Sequence, residues 1–168
     1  MKCVMLSILP KWCEKIASGE KTIEVRKIRP KIETPFKCYI YCSYGNDREN
    51  YMLGMRGKVI GEFICDEVYE WKYDYCDGVD IDDDLILDTC LDREDINIYA
   101  KGKTLYGWHI SDLKIYYNPK SIMTFYKPCP IKLGFKNCPC CEFYSTDTGF
   151  CMNQIDRPPQ SWCYVEEV

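Results

Sequence analysis

Short apolar runs of strand length recur along the chain, separated by polar segments. Some of them alternate, as in residues 21–27 (KTIEVRK), where Ile23 and Val25 share one face, and a period of two is typical of a strand. We expect a kink at Gly61 and a strand end at Asn118-Pro119. The pattern predicts six strands, over residues 2–8, 21–27, 36–42, 58–69, 105–117 and 162–165.

Two helices are predicted between these strands. The first begins at Pro10, which suits a first helical turn, and ends at Gly19. The second covers residues 92–100. The expected apolar face of the first helix consists of Trp12, Ile16 and Ala17.

The order of these elements predicts an α+β fold. The strands are mostly consecutive and too irregularly spaced for parallel β-α-β units, so a small mixed β-barrel with flanking helices fits best. A length of 168 residues corresponds to about one domain. After residue 127 the composition shifts towards Cys, Pro and Gly. We therefore expect a barrel over residues 1–127 and a Cys-rich extension over 128–168, which packs on the barrel through strand 162–165.

Composition narrows the class of protein. Hydrophobic residues make up 46% of the chain and aromatic residues 14%, which excludes a wholly disordered chain. No apolar stretch approaches the roughly 20 residues that span a bilayer, and we recognise no signal peptide. The 13 cysteines are an odd number in a chain without a leader, so we expect a cytoplasmic protein with most thiols free.

Charge is distributed unevenly. Residues 1–60 carry twelve Lys or Arg against six Asp or Glu, whereas residues 61–100 carry two against fourteen. The segment 73–88, which contains Asp80, Asp82, Asp83 and Asp84, is interpreted as a solvated acidic loop. The alternative is a partner surface, by which the protein blocks a host factor through mimicry of nucleic acid.

The segment from Gly19 to Arg26 groups residues suited to a binding cleft. Lys21, beside a glycine turn, offers an ammonium for a phosphate, or a base if burial lowers its pKa. Arg26 offers a planar fork, and Glu24 offers an acceptor for an exocyclic amine such as that of cytosine. Strict alternation would put Lys21 on the opposite face from the other two, so the three converge only if Lys21 lies in the turn. The alternative is a surface pair between Glu24 and Arg26 in solvent.

The same residues resemble the signature of ASCH domains, which belong to the PUA-like superfamily of small β-barrels. That pattern, Gly-x-Lys-x-x-Glu-x-Arg after the first helix, appears here as Gly19, Lys21, Glu24 and Arg26. The resemblance covers about residues 1–127. Further matches are Gly61-Glu62-Phe63, Tyr106-Gly107-Trp108-His109-Ile110 and a tail, residues 157–164, similar to that of a phage and Firmicute subgroup.

The resemblance implies a nucleotide-facing cleft between the first helix and the barrel. ASCH domains are thought to bind RNA, and some relatives cleave it. One bacterial branch hydrolyses acetylcytidine with the signature Lys, the Thr three positions later and a distant Glu. Here Lys21 matches that Lys, Glu24 stands at the Thr position, and Glu62 is the candidate for the distant Glu. The sequence thus predicts an RNA- or nucleotide-binding module, with hydrolysis of a modified nucleoside or of RNA as the alternative.

His109 is the single histidine of the chain. A triad with Ser111 and Asp112 is rejected, because residues so close in one strand cannot converge on one proton path. His109 is interpreted either as a packed or hydrogen-bonded barrel residue or as a cleft residue that contacts a base. In the second case Trp108 or Tyr106 would stack nearby.

The late cysteines suggest a metal site. Four thiolates from a loop-rich segment suit tetrahedral zinc, and a structural site closed by four ligands would order the extension. Cys140 or Cys129 could replace one ligand, and free thiols, a disulfide or an iron–sulfur cluster remain alternatives. The predicted zinc ligands are Cys138, Cys141, Cys151 and Cys163.

Overall fold

A computed structural model describes residues 3–45, 52, 54–128, 144–145, 150–151 and 153–167. The helices are α1 (Pro10–Ala17), α2 (Asp83–Thr89) and α3 (Arg93–Ala100), with a short 3-10 helix at Ile122–Thr124. The strands are β1 (Cys3–Ile8), β2 (Ile23–Arg26), β3 (Phe36–Cys42), β4 (Lys58–Cys65), β5 (Val68–Trp71), β6 (Tyr73–Asp74), β7 (Gly78–Val79), β8 (Leu105–His109), β9 (Ser111–Lys120), β10 (Phe125–Tyr126), β11 (Tyr144–Ser145), β12 (Phe150–Cys151) and β13 (Trp162–Glu167).

The largest sheet is mixed and has six strands in the order β10-β13-β1-β3-β4-β9. Strands β1 and β3 pair in parallel, and the other pairs within it are antiparallel. The register of β3 and β4 shifts between Ile40 and Tyr41, opposite Gly61. The predicted irregularity at Gly61 is therefore confirmed as a bulge in the ladder.

A second sheet has three antiparallel strands in the order β2-β8-β5. Two of the passages of the chain between the sheets are short, through residues 66–67 between β4 and β5 and through Ile110 between β8 and β9. These short corners curl the two sheets into a half-barrel with three helices. The predicted α+β class is confirmed.

Burial follows the alternation of the strands. Val4, Leu6 and Ile8 of β1 face α1 in one core cluster, while Cys3 and Met5 face a second cluster on the other side of the sheet. A third cluster lies between the three-stranded sheet and the two later helices. A strand buried on both faces reads as a continuous apolar run, which is why β1 and β3 are visible in the sequence.

Helix α1 ends as predicted at a glycine. Gly19 has a φ of +80°, and its N–H donates to the carbonyl of Ile16 at 3.0 Å, which caps the helix. Cys13 and Ile16 are buried, but Ala17 is exposed, so the predicted apolar face of this helix is wrong at that position. The turn after Gly19 leads directly into Lys21.

Two predictions of secondary structure are wrong. The predicted loop 73–88 instead contains the β6–β7 hairpin and α2, because Val79, Ile81 and Ile86 pack into the third core cluster. The predicted strand 105–117 is two strands in different sheets, and the second continues through Asn118 and Pro119 to Lys120. Here β9 has a single neighbour in the sheet, and an edge strand tolerates proline.

Among the described residues, no helix is long and apolar enough to cross a bilayer. Cys3, Cys38, Cys42 and Cys65 are buried, where a cysteine packs as a small apolar residue.

Candidate functional site

A cleft of about 440 Å³ opens beside the N-terminal end of α1. The end of β1, the start of α1 and strand β2 form its floor and one wall, and residues around α3 form the other wall. It is lined by Ser7, Ile8, Leu9, Lys11, Trp12, Lys21, Glu24, Val25, Arg26, Leu91, Asp95 and Tyr99. The three charged residues predicted from the signature therefore converge on one cleft.

Lys21 lies in the turn before β2 and is only 3% exposed. Its Nζ donates to the carbonyl oxygens of Thr89 at 2.6 Å and Ile23 at 2.8 Å, and lies 3.5 Å from Glu24 Oε2. Burial lowers the pKa of Lys21, and the nearby Glu24 carboxylate opposes that shift. An ammonium has three donors, so these acceptors engage all of them and tie the turn to the end of α2.

Glu24 is clamped between two cations. Its Oε1 accepts from Arg26 Nη2 at 3.0 Å, and its Oε2 faces Lys21. The side chain is 7% exposed, so the alternative of a Glu24–Arg26 pair in solvent is wrong. The pair is a buried one on the floor of the cleft.

Arg26 also binds the first strand. Its Nη2 donates to the carbonyl of Ser7 at 2.8 Å, and its side chain is 11% exposed. The buried Nε has no hydrogen-bond partner among the described residues. The phenol of Tyr99 faces the same guanidinium: burial raises the pKa of Tyr99, and Arg26 opposes that rise.

Aromatic and cationic side chains line the mouth of the cleft. Trp12 lies under two ammonium groups, with Lys11 Nζ 4.9 Å and Lys21 Nζ 5.3 Å from its ring centre. Tyr99 is 37% exposed, and Lys27 Nζ lies 4.8 Å from its ring. Trp12 was interpreted as a core residue, but it is half-buried and lines the cleft.

The α3 wall was not predicted from the sequence. Leu91, Asp95 and Tyr99 reach the cleft because α3 packs against β2 from more than 60 positions away. Helix 92–100 itself was predicted, and is confirmed over Arg93–Ala100. The spacing of apolar residues in α3 could have identified Ile96 as a buried residue. No pattern in a single sequence shows that Tyr99 lies beside β2.

Glu62 lies elsewhere. It sits opposite Tyr39 in the β3–β4 ladder, on the sheet face turned away from α1. There it pairs with Lys37 at 2.9 Å and accepts from the hydroxyl of Tyr116. The structure therefore does not bring Glu62 together with Lys21 and Glu24.

Trp108 and His109 are also outside the cleft lining. Trp108 is fully buried against the rings of Phe36 and Trp162, with centres 5.7 and 6.0 Å away, so no base can stack on it. His109 Nδ1 lies 2.7 Å from Asp66 Oδ1, and this pair sits at the corner between the sheets. The interpretation of His109 as a hydrogen-bonded barrel residue is confirmed, with a partner, Asp66, that the sequence did not indicate.

The predicted zinc ligands are described only in part. Cys138 and Cys141 lie outside the described residues, as do Cys129 and Cys140, and Cys151 is described in backbone only, as part of β12. Cys163 lies in β13 opposite Met5, and burial raises its pKa to about 11. Within the described residues, no three His, Cys, Asp or Glu side chains converge on a metal position.

The acidic residues form the outer surface of the hairpin and the two later helices. Asp80, Asp82, Asp83 and Asp84 are exposed, and Asp83 pairs with Arg93 at 2.6 Å. Asp82 and Asp83 lie at the start of α2, where carboxylates favour the helix dipole. Part of this acidity therefore has a local structural reason.

Comparison with solved structures identifies the fold. The chain is similar to the crystal structure of ASCH from Zymomonas mobilis, with a TM-score of 0.58 and 16% identity over 97% of this chain and 87% of that one. A Tyr-to-Phe variant and a Ser-to-Ala variant of the same protein match with TM-scores of 0.58 and 15% identity. They cover 97% of this chain and 89% and 87% of theirs. No family model and no curated protein matches the sequence. The chain has the fold of an ASCH domain.

Proposed function

We propose that this protein binds single-stranded RNA and holds one nucleotide in the cleft beside α1. The observation that carries the proposal is the convergence of a buried Lys21–Glu24–Arg26 network with two aromatic side chains in one cleft. The ASCH fold and the resemblance of residues 19–26 to the ASCH signature support the same function.

The aromatic residues suit recognition of an unpaired base. Trp12 and Tyr99 line the same cleft from different elements, and both keep part of their surface exposed. Single-stranded RNA is bound chiefly by stacking of splayed bases on such side chains. Each stacked base contributes about 1–3 kcal/mol. Trp12 or Tyr99 is thus the candidate platform for the base.

The buried and the exposed charged residues would contact different parts of the RNA. The network on the floor is internally paired, so its positive charges are already balanced by Glu24 and by backbone carbonyls. Lys11 is exposed at the mouth, where an ammonium can meet a phosphate without displacing any buried contact. We therefore assign the base to the cleft and the sugar-phosphate chain to the mouth.

A binding measurement tests this proposal. Fluorescence anisotropy with a labelled ten-nucleotide RNA of mixed sequence should show binding that Trp12→Ala weakens about tenfold or more, the loss expected for one stacked base. Tyr117→Ala is the matched control, because Tyr117 is 96% exposed on β9 and does not line the cleft. Equal affinity of the wild type and Trp12→Ala would refute the assignment of the base to this cleft.

A second candidate is hydrolysis of an acylated nucleoside such as acetylcytidine. Its support is the lowered pKa of the buried Lys21, close to a carboxylate. In that reaction water adds to the acyl carbon, the C–N bond breaks, and the exocyclic nitrogen leaves as the amine with one proton from the water. The three engaged donors of Lys21 favour a positioning role, which leaves Glu24 as the candidate base.

This second function requires turnover. Purified protein should then release acetate and cytidine from acetylcytidine, and Glu24→Gln should abolish the release. Glu24→Thr, which restores the residue of the hydrolytic relatives, distinguishes the two candidates. If only that variant turns over, the wild-type cleft binds but does not hydrolyse.

A further inference from the structure

Two cations already contact the carboxylate on the floor of the cleft. Both oxygens of Glu24 face cations, Oε1 towards Arg26 at 3.0 Å and Oε2 towards Lys21 at 3.5 Å. The carbonyl of Ser7 accepts from Arg26 as well. The exocyclic amine of a cytosine or an adenine would have to share one of these oxygens with a cation that already contacts it.

The floor does offer uncommitted donors. The hydrogen bonds of Arg26 to Ser7 and Glu24 both run through Nη2, and Nε is buried, so Nη1 is the nitrogen that can reach a molecule in the cleft. Arg26 donates towards the oxygen of the Tyr99 hydroxyl, so the phenolic proton is the donor that Tyr99 can offer to the cleft. Arg26 and Tyr99 therefore present an edge of N–H and O–H donors to whatever occupies the cleft.

The charge of Glu24 decides which acceptor fits this edge. A phosphate bound to Arg26 would share the guanidinium with a buried carboxylate 3.0 Å from Nη2, and like charges repel strongly where water is excluded. A neutral carbonyl oxygen meets the same donors without that repulsion. Lys11, exposed at the mouth, remains available to the phosphate.

We propose that the cleft selects bases that carry a keto oxygen, uracil or guanine, over bases that carry an exocyclic amine in its place. This inference rests on the proposed function and adds its specificity. The keto oxygen can accept hydrogen bonds from Arg26 and Tyr99. The amine of cytosine is itself a hydrogen-bond donor, so it cannot accept from these groups. A site of buried donors rejects such an analogue because its own polar groups lose their partners.

Two RNAs of equal charge test the inference. Hexamers of uridine and of cytidine differ at two neighbouring positions of the base, O4 and N3–H in uracil against the amine at C4 and an unprotonated N3 in cytosine, and at neutral pH both are single strands. Isothermal titration of the full chain should show the uridine hexamer binding about five- to a hundredfold more tightly, the range of discrimination from one good base contact. The ratio of the two affinities is the readout, because it is insensitive to the phosphate contacts common to both.

Two variants locate the discrimination. Tyr99→Phe keeps the ring and removes one donor, and Arg26→Lys keeps the charge beside Glu24 and removes Nη1. Each should lower the ratio of uridine to cytidine affinity towards one. Tyr117→Phe removes a phenol that is 96% exposed and outside the cleft, so it should leave the ratio unchanged.

The outcomes separate the two proposals. A wild-type preference for uridine that both cleft variants reduce supports the inference. Equal or tighter binding of the cytidine hexamer overturns the inference and leaves the RNA-binding proposal standing. A preference for uridine that survives in both variants also overturns it, because the base is then read elsewhere. Absence of binding to either RNA refutes the proposed function and the inference with it.

Discussion

Replacement of Lys21 by methionine tests whether this lysine holds the wall of the cleft in place. Methionine keeps a long apolar stem but removes the ammonium that donates to the carbonyls of Thr89 and Ile23. Each buried carbonyl left without a donor costs about 1–3 kcal/mol. Loss of the ammonium also ends its desolvation penalty, and Glu24 keeps its contact with Arg26. We expect a net loss of about 2–4 kcal/mol in the free energy of unfolding.

Thermal unfolding followed by circular dichroism measures this effect. For a chain of this size, 1 kcal/mol moves Tm by about 2–4 °C, so Lys21→Met should lower Tm by roughly 5–15 °C. Lys15→Met is the matched control, because the Lys15–Glu20 pair is exposed and should contribute at most about 1 kcal/mol. A Tm of Lys21→Met equal to that of the control would refute the structural role of Lys21.

The Lys21→Met variant also tests how the pKa of Lys21 affects the pH dependence of stability. Burial lowers the pKa of Lys21 in the folded state, so the unfolded chain binds that proton more tightly. Between the folded pKa and the unfolded value of about 10.4, stability rises with pH, because there the unfolded state carries more protons. The difference in unfolding free energy between wild type and Lys21→Met should therefore grow from pH 8 to pH 10 in urea titrations. A difference that shrinks over this range would contradict the direction of the shift.

Three further predictions concern the surface and the extension. If phosphates are bound only at the mouth, by Lys11 and Lys27, a plot of log affinity for RNA against log salt concentration should have a slope of about −1 to −2. A slope steeper than about −4 would contradict this placement. Elemental analysis of untagged protein should find about one zinc per chain if the Cys-rich extension closes a structural site, and absence of zinc refutes that prediction. If the acidic surface binds a partner protein, replacing the four aspartates within residues 80–84 by asparagine should abolish capture of that partner, whereas unchanged capture refutes it.

Much of the barrel could be predicted from the sequence, because each element carries its own local signal. The apolar runs of β1 and β3, the alternation of β2 and the Pro–Gly bounds of α1 all correspond to elements of the structure. The acidic segment 73–88 was predicted wrongly because charge concealed spaced apolar residues. Val79, Ile81 and Ile86 are too far apart to form a run, and they become a core only against a distant sheet.

The site was predictable where its residues are close in sequence and not where they meet through tertiary contacts. Lys21, Glu24 and Arg26 converge because Lys21 precedes the strand, and this was the condition stated for their convergence. Glu62 and Trp108 depend instead on which side of a sheet each faces. A single-residue difference in register reverses that side, and one sequence does not determine the register.

The most direct test of the central claim is to map where RNA touches the protein. A ten-nucleotide RNA containing 4-thiouridine can be cross-linked by ultraviolet light to the full chain, and the modified peptides can be identified by mass spectrometry. We expect cross-links at the walls of the cleft, in the peptides that contain Trp12 and Tyr99. Cross-links confined to peptides outside the cleft, such as those of β9 or of residues 128–168, would contradict it.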